Sequence, residues 1–370
     1  MQVYLVPGFF GFSRLGGFSY FHRVSDTLRR ALGERGIDAE IIEVDTMATS
    51  SIRRRALALC NLVEEHNGLE HDQLHFVGHS TGGLDIRLAL TPGVVLDPGP
   101  IEDHIAERTR SAITLSTPHF GTPLANFFAS LQGRNLLYVL TMLATSRPGR
   151  MGLSASARLL TKLARFDDRF GMRDTLLDSL ADRLLADVGR DEGHAVFEFL
   201  SEVSADQGAM VQLTPEAIDL FNAAVPDRGG VDYTSYVCAA PPPSRPKLTR
   251  DVYSMVSRAA FSLSWTVASK EHRHYPYPSP AYELESQIRK ALPFSLDPGT
   301  NDGIVPTLSQ VWAKLGGVYV GDHLDVVGQF PHYENGERYA GWLDSGAAFD
   351  DRRFTELWES VAANIADAAG

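Results

Sequence analysis

A chain of 370 residues, 44% hydrophobic and 22% charged, has material for a large buried core, which sets disorder aside; the length allows one large α/β domain with insertions or two ordinary domains. With 34 basic against 46 acidic residues the formal charge is -12, which argues against a nucleic-acid partner and fits a soluble protein. No run reaches the roughly 18 apolar residues that a bilayer span needs, so no transmembrane segment is expected.

Val3-Tyr4-Leu5-Val6 reads as a first strand, stopped by Pro7-Gly8. No basic segment precedes it, so it does not read as a secretory leader. A cytoplasmic location is expected, with a secreted mature form whose leader has been removed as the alternative. The glycine-spaced loop from Phe9 to Gly17 is rich in aromatic residues and suggests a binding role, with Phe10 and Phe12 as candidate substrate contacts. Phe21, Val24, Leu28 and Leu32 follow at helical spacing, and Gly33 and Gly36 bracket the end of that helix. Glu40 to Val44 is a second strand, and Ile52, Ala56, Leu59, Cys60 and Val63 line one face of a second helix. Cys60 and Cys238 each sit in an apolar element and are expected to be buried free thiols; no CxxC or HxxxH spacing suggests structural zinc.

The next strand ends abruptly in Gly78-His79-Ser80-Thr81-Gly82, the G-x-S-x-G pattern of a nucleophile elbow. A serine held on a sharp strand-to-helix turn needs neighbours without Cβ atoms where the chain doubles back, and Gly78 and Gly82 supply them. Leu84, Ile86, Leu88, Ala89 and Leu90 then form a short apolar helix whose N-terminus favours negative charge beside Ser80. His79, next to this nucleophile, is a further candidate substrate contact.

A loop rich in proline and glycine leads to a strand at Ala112 to Leu115 and then to Ser116-Thr117-Pro118-His119-Phe120-Gly121-Thr122-Pro123. Strands alternating with helices call for a parallel sheet covered on both faces. From 124 to 226 the pattern turns mostly helical. That region reads as an insertion over the sheet edge, with a larger helical core layer as the alternative. Residues 1–123 and 227–370 then form the core, with a second helical excursion near 250–295. Leu136, Leu137, Val139, Leu140, Met142 and Leu143 leave no polar stripe, so they must be covered by protein, substrate or lipid. Tyr233 to Cys238 resumes the sheet, Thr300 to Pro306 and Gly317 to His323 complete the pattern, and Phe354 to Ile365 make a closing helix.

A serine hydroxyl needs a base, normally a histidine whose far nitrogen is held by a carboxylate. After an elbow serine the acid comes next in the chain and the histidine last. His323 directly follows the late strand and is the first choice as base, with His332 second. Asp302, in the turn Asn301-Asp302-Gly303, is the first choice as acid, with Asp297, Asp322 and Asp325 as rivals. The oxyanion needs two backbone donors, Thr81 after the nucleophile and Phe9 in the loop after the first strand.

Taken together, Gly8-Phe9, the elbow, Thr117 to Pro123, Leu213-Thr214-Pro215 with Phe221-Asn222, Asn301 to Val305, and His323-Leu324-Asp325 with Gln329 resemble the bacterial triacylglycerol lipases of the α/β-hydrolase fold. The likeness runs from Val3 to about Phe330 in landmarks. It implies a mostly parallel central sheet flanked by helices, a helical lid or cap in the insertion, Ser80, Asp302 and His323 as the triad, and Phe9 and Thr81 as oxyanion donors. In relatives with a calcium site, an aspartate two residues after the histidine and a later backbone carbonyl hold the ion. Asp325 and Gln329 match those positions, although no upstream aspartate can be placed. Pro7 stands where the family usually has His, and Thr81 where it often has Gln. The expected function is a serine carboxylic-ester hydrolase, lipase-like, cleaving esters with apolar acyl groups. It requires no cofactor, takes a lipid or ester small molecule, and makes transient contact with a lipid interface. An acyltransferase or thioesterase with the same triad, or a catalytically silent binding protein, are the alternatives.

Overall fold

The computed structural model describes residues 1–9, 14–15, 18–97, 101–129, 206, 208–243, 252–271, 278–280, 282–334, 337–339, 341 and 343–370. Its first half runs β1 (Gln2–Val6), a hairpin of β2 (Arg14–Leu15) and β3 (Phe18–Ser19) that the sequence does not signal, α1 (Val24–Gly33), β4 (Glu40–Glu43), α2 (Ile52–Glu65), β5 (Leu74–His79), α3 (Gly82–Leu90), α4 (Ile101–Arg108) and β6 (Thr109–Leu115). Then come α5 (Pro123–Ala129), α6 (Gly208–Gln212), α7 (Pro215–Ala224), β7 (Asp232–Ala239), α8 (Val252–Glu271), α9 (Tyr282–Ala291), β8 (Lys314–Val320), the short pair β9 (His332–Glu334) and β10 (Glu337–Tyr339), and α10 (Asp351–Ala369).

Six strands form one sheet in the order β4-β1-β5-β6-β7-β8, and every pairing is parallel. The side-chain period of two decides what each face buries. On β1, Val3 and Leu5 enter one core with α1 and α10, through Leu28, Leu32, Leu357, Trp358 and Val361. Tyr4 and Val6 enter the other with α2, α3 and α4, through Leu59, Cys60, Val63, Ile86, Leu90 and Ile105. Each such side chain contributes roughly 1.5–3 kcal/mol on burial, so a one-residue slip that exchanged the two sets would be opposed on both faces. Cys60 and Cys238 are both buried free thiols.

Because the strands are parallel, their C-terminal ends lie along one edge, where sites of open α/β sheets form. Ser80 follows β5, Ser116 follows β6, and His323 comes shortly after β8. The Asn301 carbonyl accepts from Ala240 N–H just beyond β7, which brings the Asp302 turn to the same edge.

One segment departs from the sequence reading. Ile101–Arg108 is a helix inside the stretch taken as a Pro/Gly loop, and it buries Glu102, Ile105 and Ala106. Tyr282–Ala291, within the helical excursion expected near 250–295, is a polar helix whose one buried side chain is Ile288. Thr300 to Pro306 holds the Asn301-Asp302-Gly303 turn, closed by a bridge between Asn301 and Pro306.

The two described ends of the 124–226 insertion are helical and share a small apolar cluster of Ile52, Leu84, Ala125, Ala209, Leu213 and Ile218. Thr214 caps α7 through Ala217 N–H, with Pro215 at the helix start. Residues 130–205, including the apolar Leu136–Leu143 stretch, lie outside the described residues. No described helix is long and apolar enough to cross a membrane.

Candidate active site

Ser80 has φ +55, a left-handed backbone that costs a non-glycine residue on the order of 1–2 kcal/mol. The surroundings enforce it. Ser80 N–H donates to the Leu115 carbonyl at 2.9 Å, and Gly83 N–H turns back to the Ser80 carbonyl at 3.2 Å. A Cβ on Gly78 would come within 2.5 Å of Gly83 N, and one on Gly82 would strike the Val6 carbonyl. Both elbow glycines are therefore required by contact with backbone, as the spacing predicts.

Asp302 and His323, the candidate acid and base, meet directly. His323 Nδ1 lies 2.8 Å from Asp302 Oδ2, and His323 N–H donates to the Asp302 carbonyl at 2.9 Å. Asp302 Oδ1 accepts from Ile304 and Val305 N–H at 2.9 and 2.7 Å, and Gln310 Nε2 donates to Oδ2 at 3.1 Å. Four donors on two oxygens fix the plane of the carboxylate, and with it the histidine ring. Gln310 is itself pinned, since its amide oxygen accepts from Cys238 N–H at 2.7 Å and its nitrogen reaches the Cys238 carbonyl at 3.0 Å. Asp302 and Gln310 are fully buried.

The loop after β1, which carries the candidate oxyanion donor Phe9, passes against Ser80. A Cβ on Gly8 would sit 2.6 Å from Ser80 Cβ, so only glycine lets Phe9 follow at this distance. Arg55 holds the loop from below: its guanidinium donates to the Pro7 and Gly8 carbonyls at 2.8 and 3.0 Å and to Asp85 Oδ2 at 2.8–2.9 Å. Asp85 lies on α3, one turn past the elbow, so one buried ion pair ties this loop and α3 together. Burial pushes the Asp85 carboxyl up to about 6 even though Arg55 pulls it down. Arg55→Met leaves Asp85 buried without its partner and is expected to cost about 3–5 kcal/mol in urea unfolding. A loss under about 1 kcal/mol would show that the pair does not brace the loop.

Neither a protein-family model nor a curated protein matches the chain. Solved structures do. Lipase 1 from Pelosinus fermentans superposes with TM-score 0.55 at 16% identity, covering 98% of each chain. EstA from Clostridium botulinum superposes with TM-score 0.51 at 16% identity, covering 98% of this chain and 86% of its own. The chain has the α/β-hydrolase fold.

Other residues singled out by the sequence take varied places on this α/β-hydrolase scaffold. Phe10 and Phe12 lie outside the described residues. Thr81 heads α3, and Phe9 is half-buried beside the core. His332 turns away from Asp302, with Nδ1 on the Phe330 carbonyl at 2.8 Å. Asp297 closes its own turn through Gly299 N–H at 2.7 Å. His79, expected to touch substrate, is fully buried, and both its ring nitrogens bond to protein.

The expected calcium ligands are also engaged. Asp325 Oδ2 accepts from Asp322 N–H at 2.7 Å, and Asp322 Oδ1 accepts from Leu324 and Asp325 N–H. Burial pushes Asp322 up to about 7 and Asp325 well above the carboxylate range, the latter aided by the Asp322 charge. The Gln329 carbonyl is packed by Gly341, where a Cβ would lie 2.5 Å away. Among the described residues no group of three His, Cys, Asp or Glu side chains is arranged to hold a metal. Calcium takes six to eight oxygens, and among the described residues Asp325 and the Gln329 carbonyl are not joined by enough further donors to make its cage.

Proposed function

We propose that this chain is a serine carboxylic-ester hydrolase, lipase-like, acting on esters with an apolar acyl group. The observation that carries the reading is the 2.8 Å Asp302–His323 pair on the sheet edge that holds a serine at φ +55. In this reading Ser80 Oγ attacks the ester carbonyl, and His323 Nε2 takes its proton and returns it to the leaving alcohol. Asp302 holds the Nδ1–H tautomer. The Thr81 and Phe9 backbone N–H groups receive the oxyanion, each such donor being typically worth ~10²–10³ in rate. Water then attacks the acyl-enzyme, with His323 again as base.

The test is hydrolysis of p-nitrophenyl butyrate in plain buffer, followed by the same assay with added glycerol or a thiol. Steady release of free butyrate without acceptor supports the hydrolase. Turnover that requires the acceptor would make the chain an acyltransferase using the same residues, and no turnover in either arm would make it a binding protein.

The reaction so described requires no cofactor, and no step runs through a metal. Extensive chelation followed by metal analysis is expected to leave rate and melting temperature unchanged, with the His323 loop braced by the Asp322 and Asp325 hydrogen bonds. A lower melting temperature that added calcium restores would show that the loop is held by the ion.

A further inference from the structure

His79 precedes the nucleophile in sequence, and its side chain points away from it into the protein. Its Nε2 lies 2.8 Å from the His323 carbonyl oxygen, and its Nδ1 lies 2.7 Å from Tyr20 Oη. The two histidine rings lie with centroids 4.7 Å apart and planes tilted by 48°. Tyr20 Oη in turn accepts from Gly8 N–H at 2.9 Å, and the Tyr20 backbone is tied to the histidine loop by Gln329 Nε2, which donates to the Ser19 and Tyr20 carbonyls. Tyr20 and His79 are both buried.

Proton positions along these bonds follow from which groups can donate and accept and from the charge of His79. A carbonyl oxygen can only accept, so His79 carries its proton on Nε2. Burial, and the neighbouring His323, hold His79 well below its ordinary pKa, so the ring is neutral and Nδ1 is an acceptor. Tyr20 must then donate to Nδ1, which leaves a lone pair on its oxygen for Gly8 N–H. The sequence of bonds runs in one direction, from the oxyanion loop through Tyr20 and His79 to the backbone of the base.

We propose that Tyr20 and His79 are positioning residues: a buried relay that sets the oxyanion loop, the elbow and the His323 loop at fixed distances from one another. The proposal rests on the esterase reading, because it assigns His323 as base and Phe9 as oxyanion donor. The oxyanion loop and the elbow leave the sheet just past the Val6–Gly78 pairing of β1 and β5, while the His323 loop follows β8, which pairs with neither of those strands. A misplacement of about 1 Å between such groups costs on the order of 10² in rate, which is the scale a relay of this kind protects. Substrate is not touched by either side chain, so the relay acts on turnover and leaves binding alone.

The test is a double-mutant cycle on kcat and KM for p-nitrophenyl butyrate, with the histidine tautomer read by ¹⁵N NMR in the resting protein. Tyr20→Phe deletes one oxygen and is expected to lower kcat about tenfold with KM unchanged. His79→Leu is expected to lower kcat on the order of 10², and the double variant no further, because the two act as one unit. His79→Gln, which can still donate to the His323 carbonyl, is expected to recover most of the loss. NMR should find the proton on Nε2 of His79 in the wild type, and that tautomer weakened in Tyr20→Phe. Losses that multiply in the double variant, a rise in KM without a fall in kcat, or a proton on Nδ1 would each overturn the relay. Should His79→Leu fail to fold, Tyr20→Phe and His79→Gln still decide the matter. The NMR reading needs no activity, so it judges the relay even if the wild type hydrolyses no ester, an outcome that would sink the esterase reading separately.

Discussion

Replacing Ser80 with alanine is expected to abolish ester hydrolysis, a loss on the order of 10⁶ in kcat, while leaving the melting temperature within a few degrees of wild type. The substitution removes one hydroxyl from the edge of the site and deletes no core volume. Alanine also relieves nothing of the backbone requirement, because φ +55 is imposed by the Leu115 and Gly83 hydrogen bonds and by the glycine contacts, all of which remain. Structure and activity should therefore separate cleanly. Far-UV circular dichroism and a thermal melt check the first, and initial rates with p-nitrophenyl butyrate check the second. Residual activity near wild type would place the nucleophile elsewhere. The natural second candidate is Ser116, the other serine at the sheet edge with a positive φ, at +50.

Asp302→Asn is expected to lower kcat by about 10⁴ with little change in KM. Asparagine fits the same space, and its amide oxygen can still accept from Ile304 and Val305 N–H where Oδ1 does now. The amide nitrogen then faces His323 Nδ1, where a donor is unwelcome, and the imidazole is driven to the tautomer that cannot take the serine proton. Gln310 makes the exchange worse, because its own Nε2 donor also points at that position. If Asp297→Asn or Asp322→Asn produces the large loss instead, the acid has been misassigned. The geometry argues otherwise, since Asp297 serves its own turn and Asp322 caps the loop N–H groups of Leu324 and Asp325.

The parts of this site that could be read from sequence are those whose physical demands fall on neighbouring residues. A turn from strand to helix requires glycine two residues either side of the serine, so the elbow is written in five consecutive positions. The Asp302 turn and the strand before His323 are local too, and chain order links them. Gln310, Tyr20 and the Arg55–Asp85 pair were missed, because their partners lie far off in the chain and nothing in their immediate surroundings marks them. Arg55 did carry one signal: it follows Ile52 by three residues and precedes Ala56 and Leu59, which puts a charged side chain on the buried face of α2. A charge in such a place requires a buried partner, and Asp85 is that partner. His79 was read as a substrate contact because it adjoins the nucleophile, yet successive strand residues point to opposite faces, and its ring goes inward. The helix at Ile101–Arg108 was hidden behind Pro98-Gly99-Pro100, which break regular structure just ahead of it.

The central claim is that Ser80 is a nucleophile activated by His323, and covalent labelling tests it most directly. A fluorophosphonate phosphonylates an activated serine and leaves ordinary hydroxyls alone. Incubated with the intact protein and followed by peptide mapping, it should modify one residue per chain, Ser80, and labelling should fall to background in His323→Ala. Absence of labelling, or modification at another serine, would contradict the account.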